Sequence, residues 1–587
     1  MNKPFFPPKA PFNEDQKSWL AGFMAGLKAS AEMQGTTAVS AGSQVKAHEL
    51  NILFGTQTGN AELLAEDTAE LAQKAGFATV ITALDDVEMD DLATMENVVV
   101  VVSTYGEGEM PDNAELFWDA MSSSVAPRLE NVNYGILALG DTGYEDFCQA
   151  GKLIDTRMEQ LGAKRILPRI DCDVDYDDIA IAWVEELLPA IAQELNVQQP
   201  DATLTAAPKA GNRKREKWNK KNPYRSQLLE NKRLSGPSSA KEIRHFSLSL
   251  PADAISYEAG DALGVVPLNK QGLVDAFLQH FDADGDDTAD GFEASLEEVL
   301  KSQLEIVTPN REFISELSAR IKHDELNHVV SNADKETMDA FLWKQDTLDL
   351  LRLSPSMPFG IDEFLKLMKP LQHRAYSISS SPKAHVDEVH LTVAAVRWSH
   401  LNRQHNGVCS TYLSDDAEIG QVVPVFVSQN KGFRPPQDAN APMIMIGPGT
   451  GVAPFRAFLE ERREIGASGK NWLFFGDQHR AHDFAYEEEI SMMSKSGLLN
   501  RLDLAFSRDQ KEKIYVQSRM LENGKELFSW LEDGGYFYVC GDATRMARDV
   551  DDALHEVIAI NGEMSEEDAA EYVTGLKRQK RYLRDVY

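Results

Sequence analysis

The chain has 587 residues, too many for one hydrophobic core, and at 43% hydrophobic and 26% charged it reads as a soluble globular protein of several domains. A formal net charge of −34 argues against nucleic acid or anionic lipid as a partner, and no apolar run is long enough to span a bilayer. Cys148, Cys172, Cys409 and Cys540 are scattered without a CxxC, which argues against a zinc or iron–sulfur site and against a disulfide framework.

Residues 1–47 read as a leader. Asn13 and Gln16 have a helix-capping arrangement, and Trp19, Leu20, Phe23, Met24 and Leu27 recur at helical spacing. The opening residues lack the apolar stretch of a signal peptide, so the cytoplasm is the expected compartment.

Leu50–Phe54 reads as a buried strand running into Thr56-Gln57-Thr58-Gly59-Asn60, with a helix from Ala61. Such a loop aims backbone N–H groups and hydroxyls at a phosphate, and without a lysine it is not a Walker A loop. Two more strands, Val98–Val102 and Tyr134–Leu139, end in Ser103-Thr104-Tyr105-Gly106 and Gly140-Asp141-Thr142-Gly143-Tyr144. Ligands bind at the carboxyl ends of an open parallel sheet, and Tyr105 and Tyr144 suit the two faces of a flat ring; the alternative is two surface tyrosines. Pro200–Lys221 reads as a linker, with Arg213–Lys217 a solvated hinge.

Ile243–Leu250 and Tyr257–Pro267 suit a β-barrel, which helical patterns from about residue 270 to 368 interrupt. The barrel resumes at Arg374-Ala375-Tyr376-Ser377, a guanidinium for a pyrophosphate, an aromatic for a ring face and a hydroxyl for a ring nitrogen. The strand His390–Ala394 and the small-residue turn Gly407-Val408-Cys409-Ser410 follow. Met443–Ile446 leads into Gly447-Pro448-Gly449-Thr450-Gly451 and a helix, and Trp472–Phe475, Leu502–Phe506 and Tyr536–Val539 complete a nucleotide-binding α/β pattern. Ser507, Arg508, Lys513 and Tyr515 can surround a 2′-phosphate, where a free ribose would favour an acid; the alternative is a charged surface loop.

Taken in this order, the motifs resemble those of the diflavin reductase family from about residue 48 to Tyr587. Within it the chain is most similar to the flavoprotein subunits that serve NADPH-dependent assimilatory sulfite reduction, through Ile446–Pro454, Ser507–Gln517 and the Arg-Asp-Val-Tyr ending. The fold implied is multidomain: a flavodoxin-like doubly wound sheet, an FAD-binding antiparallel β-barrel with a helical connecting insertion, and a ferredoxin–NADP reductase-like nucleotide-binding α/β domain. The expected boundaries are 1–47 for the leader, 48–195 for the FMN domain and 196–222 for the linker. They continue with 223–269 for the first part of the barrel, 270–368 for the connecting domain, 369–438 for the rest of the barrel and 439–587 for the NADPH domain.

The resemblance implies FMN at Thr56, Gln57, Thr58, Gly59, Asn60 and Ala61, at Ser103, Thr104, Tyr105 and Gly106, and at Leu139, Gly140, Asp141, Thr142, Gly143, Tyr144, Phe147 and Cys148. FAD is implied at Arg374, Ala375, Tyr376, Ser377, Thr392, Val393, Ala394, Trp398, Gly407, Val408, Cys409 and Ser410, with Tyr587 over the flavin. Val408 and Cys409 stand where glycine or alanine is usual, and Trp398 where tyrosine is frequent. NADPH is implied at Gly449, Thr450, Ser507, Arg508, Lys513, Ile514, Tyr515, Val516, Gln517 and Asp549. Ser377 would bond the flavin N5 region, Cys540 would lie by the nicotinamide and Asp585 would orient both. A hydride would pass from NADPH to FAD, then single electrons to FMN and on to a separate hemoprotein (beta) subunit with sirohaem and an iron–sulfur cluster. No metal is expected on this chain, and a homo-oligomer is possible. Three alternatives stay open: a reductase for another haem or iron–sulfur acceptor, a free-standing ferric or flavin reductase, and an assembly protein without flavins.

Overall fold

Strand β1 (Glu49–Gly55) is apolar on both faces, and Leu50, Ile52 and Leu53 are fully buried, as a strand covered by helices on both sides requires. The computed structural model describes residues 48–144, 146–195, 217–332 and 334–587, so the expected leader and most of the linker lie outside the described residues. β2 (Ala78–Ala83), β3 (Asn97–Ser103), β4 (Asn133–Leu139) and β5 (Lys164–Arg165) form a parallel sheet in the order β2-β1-β3-β4-β5, with β6 (Ile170–Cys172) beside β4. The helices Asn60–Lys74 and Asp177–Glu194 bury their apolar stripes on one face. Asp112–Ser122 and Gln149–Leu161 cover the other. The strand order reverses between β1 and β3, which places the phosphate loop and the Tyr105 loop at a topological switch point.

The second sheet is antiparallel. β7 (Tyr224–Arg233), β8 (Glu242–Ser249), β9 (Ala262–Val265), β10 (Arg374–Ser377) and β11 (Glu388–Ala395) precede a hairpin of β12 (Arg397–His400) and β13 (Arg403–Asn406). With β14 (Val422–Ser428) the order is β10-β9-β14-β7-β8-β11, and the Ile378–Leu391 bridge closes it into a barrel. Between β9 and β10 the chain leaves the barrel for a helical insertion with its own aromatic core, including Phe277, Phe313 and Phe364.

The third sheet is parallel in the order β17-β16-β15-β18-β19, formed by β15 (Met443–Ile446), β16 (Asn471–Asp477), β17 (Arg501–Phe506), β18 (Tyr536–Gly541) and β19 (Tyr582–Val586). The sequence indicates four of these strands and leaves the tail as a terminal aromatic segment. In the structure the tail is the edge strand, in register with β18 from Phe537↔Tyr582 to Gly541↔Val586. Residues 49–587 pack as one unit. Among the described residues no helix is long and apolar enough to cross a membrane.

Candidate functional site

The loop after β1 turns on a left-handed glycine at the start of a helix. Gly59 adopts φ +84°, which L side chains rarely take, and a Cβ there would lie 2.5 Å from the Gln429 carbonyl oxygen. The turn leads into a 15-residue helix, so backbone donors of its first turn lie beside the Thr56 and Thr58 hydroxyls. Thr56 Oγ1 accepts from the Ala61 N–H at 3.3 Å, the Thr56 N–H donates to Asn113 Oδ1 at 2.7 Å, and Asn60 Nδ2 donates to Thr58 Oγ1 at 3.3 Å. Gln57 Oε1 accepts from the Asp112 N–H at 2.9 Å.

The other two expected loops meet this one. Ser103 Oγ donates to the Gly55 carbonyl at 3.4 Å, the Thr104 N–H to the Leu139 carbonyl at 2.9 Å, and the Gly140 N–H to the Cys172 carbonyl at 3.0 Å. Asp141 Oδ1 accepts from the Gly143 N–H, Thr142 bonds Asp173, and Phe147 lies against Gly140. Cys148 is buried, and burial pushes its thiol up to about 12, so it serves as a packed side chain. The two tyrosines differ. Tyr144 is half exposed, whereas Tyr105, next to Gly106, donates its hydroxyl to the Val586 carbonyl at 2.7 Å and packs on the core of the third sheet.

Three distant segments converge at the barrel mouth. Ser377 Oγ donates to Asp585 Oδ2 at 2.6 Å, and Cys540 Sγ lies 3.8 Å from the same oxygen. Burial raises the Asp585 carboxyl above the ordinary carboxylate range, while the Ser377 and Cys540 hydrogen bonds pull the other way. Burial also holds the Cys540 thiol well above its ordinary value, so it is a neutral donor and not a thiolate. Tyr587 Oη is 2.8 Å from Thr450 Oγ1, above the same cluster. On β10, Arg374 and Ala375 are exposed and Tyr376 is half-buried; Arg374 donates to the Gln372 and His373 carbonyls and reaches Glu305.

The remaining expected barrel residues divide. Gly407, Val408, Cys409 and Ser410 form the start of a short buried helix, and Ser410 Oγ accepts from the Val396 N–H at 3.2 Å. Trp398 stacks on His405 with centroids 5.4 Å apart and donates its indole N–H to the Lys344 carbonyl at 2.9 Å, tying the hairpin to the helical insertion. Thr392 Oγ1 is 2.7 Å from Tyr486 Oη in the seam between barrel and third sheet, Val393 is in the barrel core, and Ala394 pairs with Ile243. The structure therefore gives the Thr392 and Val393 side chains partners away from Ser377. Beside the hairpin, Asp346, Asp349 and His405 cluster like metal ligands, but the Arg403 guanidinium bonds both carboxylates and already occupies their oxygens.

At the third sheet, Gly451 is where only a glycine fits, since a Cβ would lie 2.1 Å from the Cys540 carbonyl oxygen. Its neighbours Gly449 and Thr450 open the helix Val452–Glu464. The Ser507 N–H donates to the Asp477 carbonyl at 2.8 Å and the Arg508 N–H to the Gln478 carbonyl at 2.8 Å, which sets the turn after β17. Arg508, Lys513 and Tyr515 are exposed there, Ile514 is half-buried and Val516 buried, and Gln517 donates to Asp549 at 2.9 Å. Sequence reasoning missed Lys241, whose Nζ reaches Asp477 Oδ1 at 2.7 Å within 4 Å of a Cβ on Gly449. It also missed Arg584, which binds Asp112 and Glu115 of the first sheet. No local motif announces either, because each partner lies hundreds of residues away.

These three sites define a class: a flavodoxin-type sheet joined to a flavin-binding barrel and a nicotinamide-nucleotide sheet, the plan of a two-flavin reductase. The family models agree, flavodoxin matching residues 52–183, FAD binding domain 216–412 and oxidoreductase NAD-binding domain 445–552. The sulfite reductase [NADPH] flavoprotein alpha-component of Bacillus subtilis (strain 168) is 41% identical over 583 residues, 98% of this chain and 96% of that one. Its counterpart in Vibrio cholerae serotype O1 (strain El Tor Inaba N16961) is 40% identical over 579 residues, 98% and 94% of the two chains. That of Mannheimia succiniciproducens is 39% identical over 592 residues, 98% and 97%. The chain belongs to this family of flavoprotein alpha-components. It is an NADPH-dependent oxidoreductase with domains for FMN, FAD and NADPH, and the glycine turns at Gly59 and Gly451, where a Cβ would clash, fit the close approach of such groups.

Proposed function

We propose that this chain takes electrons from NADPH and delivers them to a separate hemoprotein subunit, carrying sirohaem and an iron–sulfur cluster, that reduces sulfite to sulfide. When bound, FAD supplies two-electron hydride acceptance and FMN supplies one-electron delivery. The observation that carries the reading is the cluster of Ser377, Cys540 and Asp585, drawn from three segments to one point under Tyr587.

In this reading Ser377 holds a hydroxyl for the flavin N5 region, and Asp585 orients that hydroxyl and stabilises positive charge as it develops on the nicotinamide. Cys540, neutral and small, lets the ring lie close. Tyr587, beside Thr450, would cover the flavin face and give way to the nicotinamide. Thr56, Thr58 and the first helical turn hold the FMN phosphate, while Tyr105 and Tyr144 flank its ring. Ser507, Arg508, Lys513 and Tyr515 select the 2′-phosphate of NADPH. The four cysteines are free and buried, which suits a reducing cytoplasm.

The test is purification of the chain with its partners. The reading expects a yellow protein containing both flavins, oxidising NADPH and capturing a sirohaem protein with which it reduces sulfite. A colourless chain overturns the reading, and capture of a different haem or iron–sulfur protein reassigns the acceptor.

A further inference from the structure

Asp477 closes β16 with its side chain fully buried. Its Oδ1 accepts from Lys241 Nζ and from the Gln478 N–H, both at 2.7 Å, whereas its Oδ2 has no partner. Buried polar atoms are nearly always paired, so an orphan oxygen on a buried acid calls for a proton or a ligand. Oδ2 faces the glycine turn after β15. A Cβ on Gly449 would lie 3.6 Å from Oδ2 and 3.9 Å from Lys241 Nζ, and among the described residues outside that turn nothing else comes within 4 Å. The open space over Gly449 is thus bounded by an acid and a cation.

Lys241 reaches this space from the barrel. Its turn between β7 and β8 is fastened to the nucleotide sheet, where the Gly236 N–H donates to the His482 carbonyl at 2.6 Å and Ser239 donates to Asp483. The Lys241 side chain is 41% exposed and the acid beside it is covered, so a ligand entering at Gly449 meets the ammonium first. Asp477 faces two charged groups, Lys241 and, from the helix Arg480–Asp483, Asp483. Ser507 gives its N–H and hydroxyl to the Asp477 carbonyl, not to the carboxyl, and the Gly449 turn brings no charge. Burial, the largest cause, pushes the Asp477 carboxyl above the ordinary range and Asp483 adds to it, while Lys241 and the Gln478 N–H pull the other way.

We propose that Lys241 is a ligand for the coenzyme pyrophosphate and that Asp477 takes up a proton when the coenzyme claims that lysine. A phosphate oxygen paired with Lys241 draws the ammonium off Asp477 and sets a like charge beside a buried carboxylate. A proton from solvent then settles on Oδ2 and leaves a neutral acid. Only that O–H bond forms, and the proton returns to solvent when the nucleotide leaves. Linkage makes the two events favour each other, so the coenzyme binds more tightly as pH falls.

This inference rests on the proposed NADPH site, and the experiment separates the two. Proton uptake on binding is measured by calorimetry on the full flavin-loaded chain, in buffers of different ionisation enthalpy, from about pH 5.5 to about pH 8. The ligands are NADP⁺ and 2′-AMP, which carries the 2′-phosphate without the pyrophosphate. The 2′-phosphate titrates by itself, so the wild type is compared with Asp477→Asn, where that contribution cancels. With NADP⁺ the wild type should take up more protons than Asp477→Asn, by as much as about one, and its Kd should fall further with falling pH, by as much as about ten-fold per unit. With 2′-AMP the two proteins should agree. Lys241→Met is the second route should Asp477→Asn disturb folding. It should weaken NADP⁺ about ten-fold, leave 2′-AMP unchanged, and lose the extra uptake because its Asp477 is protonated beforehand. Equal uptake of protons by the wild type and Asp477→Asn at every pH overturns the inference, as does a Lys241→Met chain that binds NADP⁺ like the wild type. A difference of the same size with 2′-AMP also overturns it, since Asp477 would then act through the turn at Ser507. If the wild type binds neither ligand, the coenzyme site itself is misassigned.

Discussion

The seam between the barrel and the nucleotide sheet makes the chain sensitive to mild acid. His245 and His390 are almost fully buried there, with ring centroids 4.8 Å apart. His245 Nδ1 is 2.9 Å from Tyr486 Oη, and His390 Nδ1 lies 3.4 Å from Arg456 Nη1 while its Nε2 faces Glu388 at 3.2 Å. His385, Lys232, Glu230 and Glu460 complete the charged surroundings. Burial comes first among the causes, and neighbouring cations add to it, holding His245 down to about 3 and His390 to about 4. An unfolded histidine titrates near 6.5, so below that pH the unfolded chain takes up protons that the folded chain refuses. Their contribution is complete above about pH 6.5 and is lost as pH falls toward the folded values. Each ring costs about 1.4 kcal/mol per pH unit across that window, so the pair costs about 4 kcal/mol between about pH 7 and about pH 5. Urea unfolding followed by release of FAD fluorescence at several pH values measures it. His390→Gln removes one titrating ring and should halve the pH-dependent loss. The difference between variant and wild type also cancels Asp112, Asp477 and Asp585, whose raised carboxyls act in the opposite sense. Identical pH dependence in the variant and the wild type would refute the reasoning.

Three further outcomes follow from the sites. Thr58→Asp places a carboxylate in the anion loop and should abolish FMN content while FAD stays, read by flavin analysis of the purified protein; retained FMN removes the loop from the phosphate. Arg508→Ala should raise KM for NADPH about ten-fold, the loss of a charge-assisted bond of about 1.5–3 kcal/mol, with KM for NADH little changed. Equal changes for both coenzymes would take Arg508 out of the 2′-phosphate site. The flavodoxin-like domain is held by Lys335–Glu107, Lys369–Asp173, Lys431–Glu62, Lys577–Glu115, Lys580–Asp86 and Arg584–Asp112. Salt at about 1 M shrinks the screening length to about 3 Å, so the radius of gyration from X-ray scattering should rise, and an unchanged radius would assign the docking to apolar contact.

The two strand–glycine–helix turns were legible in the sequence because their parts are contiguous. A strand, a glycine turn and a helix start follow one another within about a dozen residues, as at Leu50–Ala61 and Met443–Pro454. Continuous apolar runs such as Val98–Val102 likewise gave the buried parallel strands. The tail was not legible as a strand: Tyr582-Leu583-Arg584-Asp585-Val586 mixes charges with apolar residues because its two faces serve two different neighbours. The resemblance named Ser377 and Asp585 for one site, but only the fold brings them to 2.6 Å across 208 residues of chain. Arg584 meets Asp112 across 472 residues and Tyr105 meets Val586 across 481. A net charge of −34 says that acidic residues are in excess, not which of them face the few lysines and arginines of the seam. Local backbone preference and apolar periodicity are written along the chain, whereas contacts between separately folded sheets depend on how their surfaces meet, and that only the tertiary structure decided.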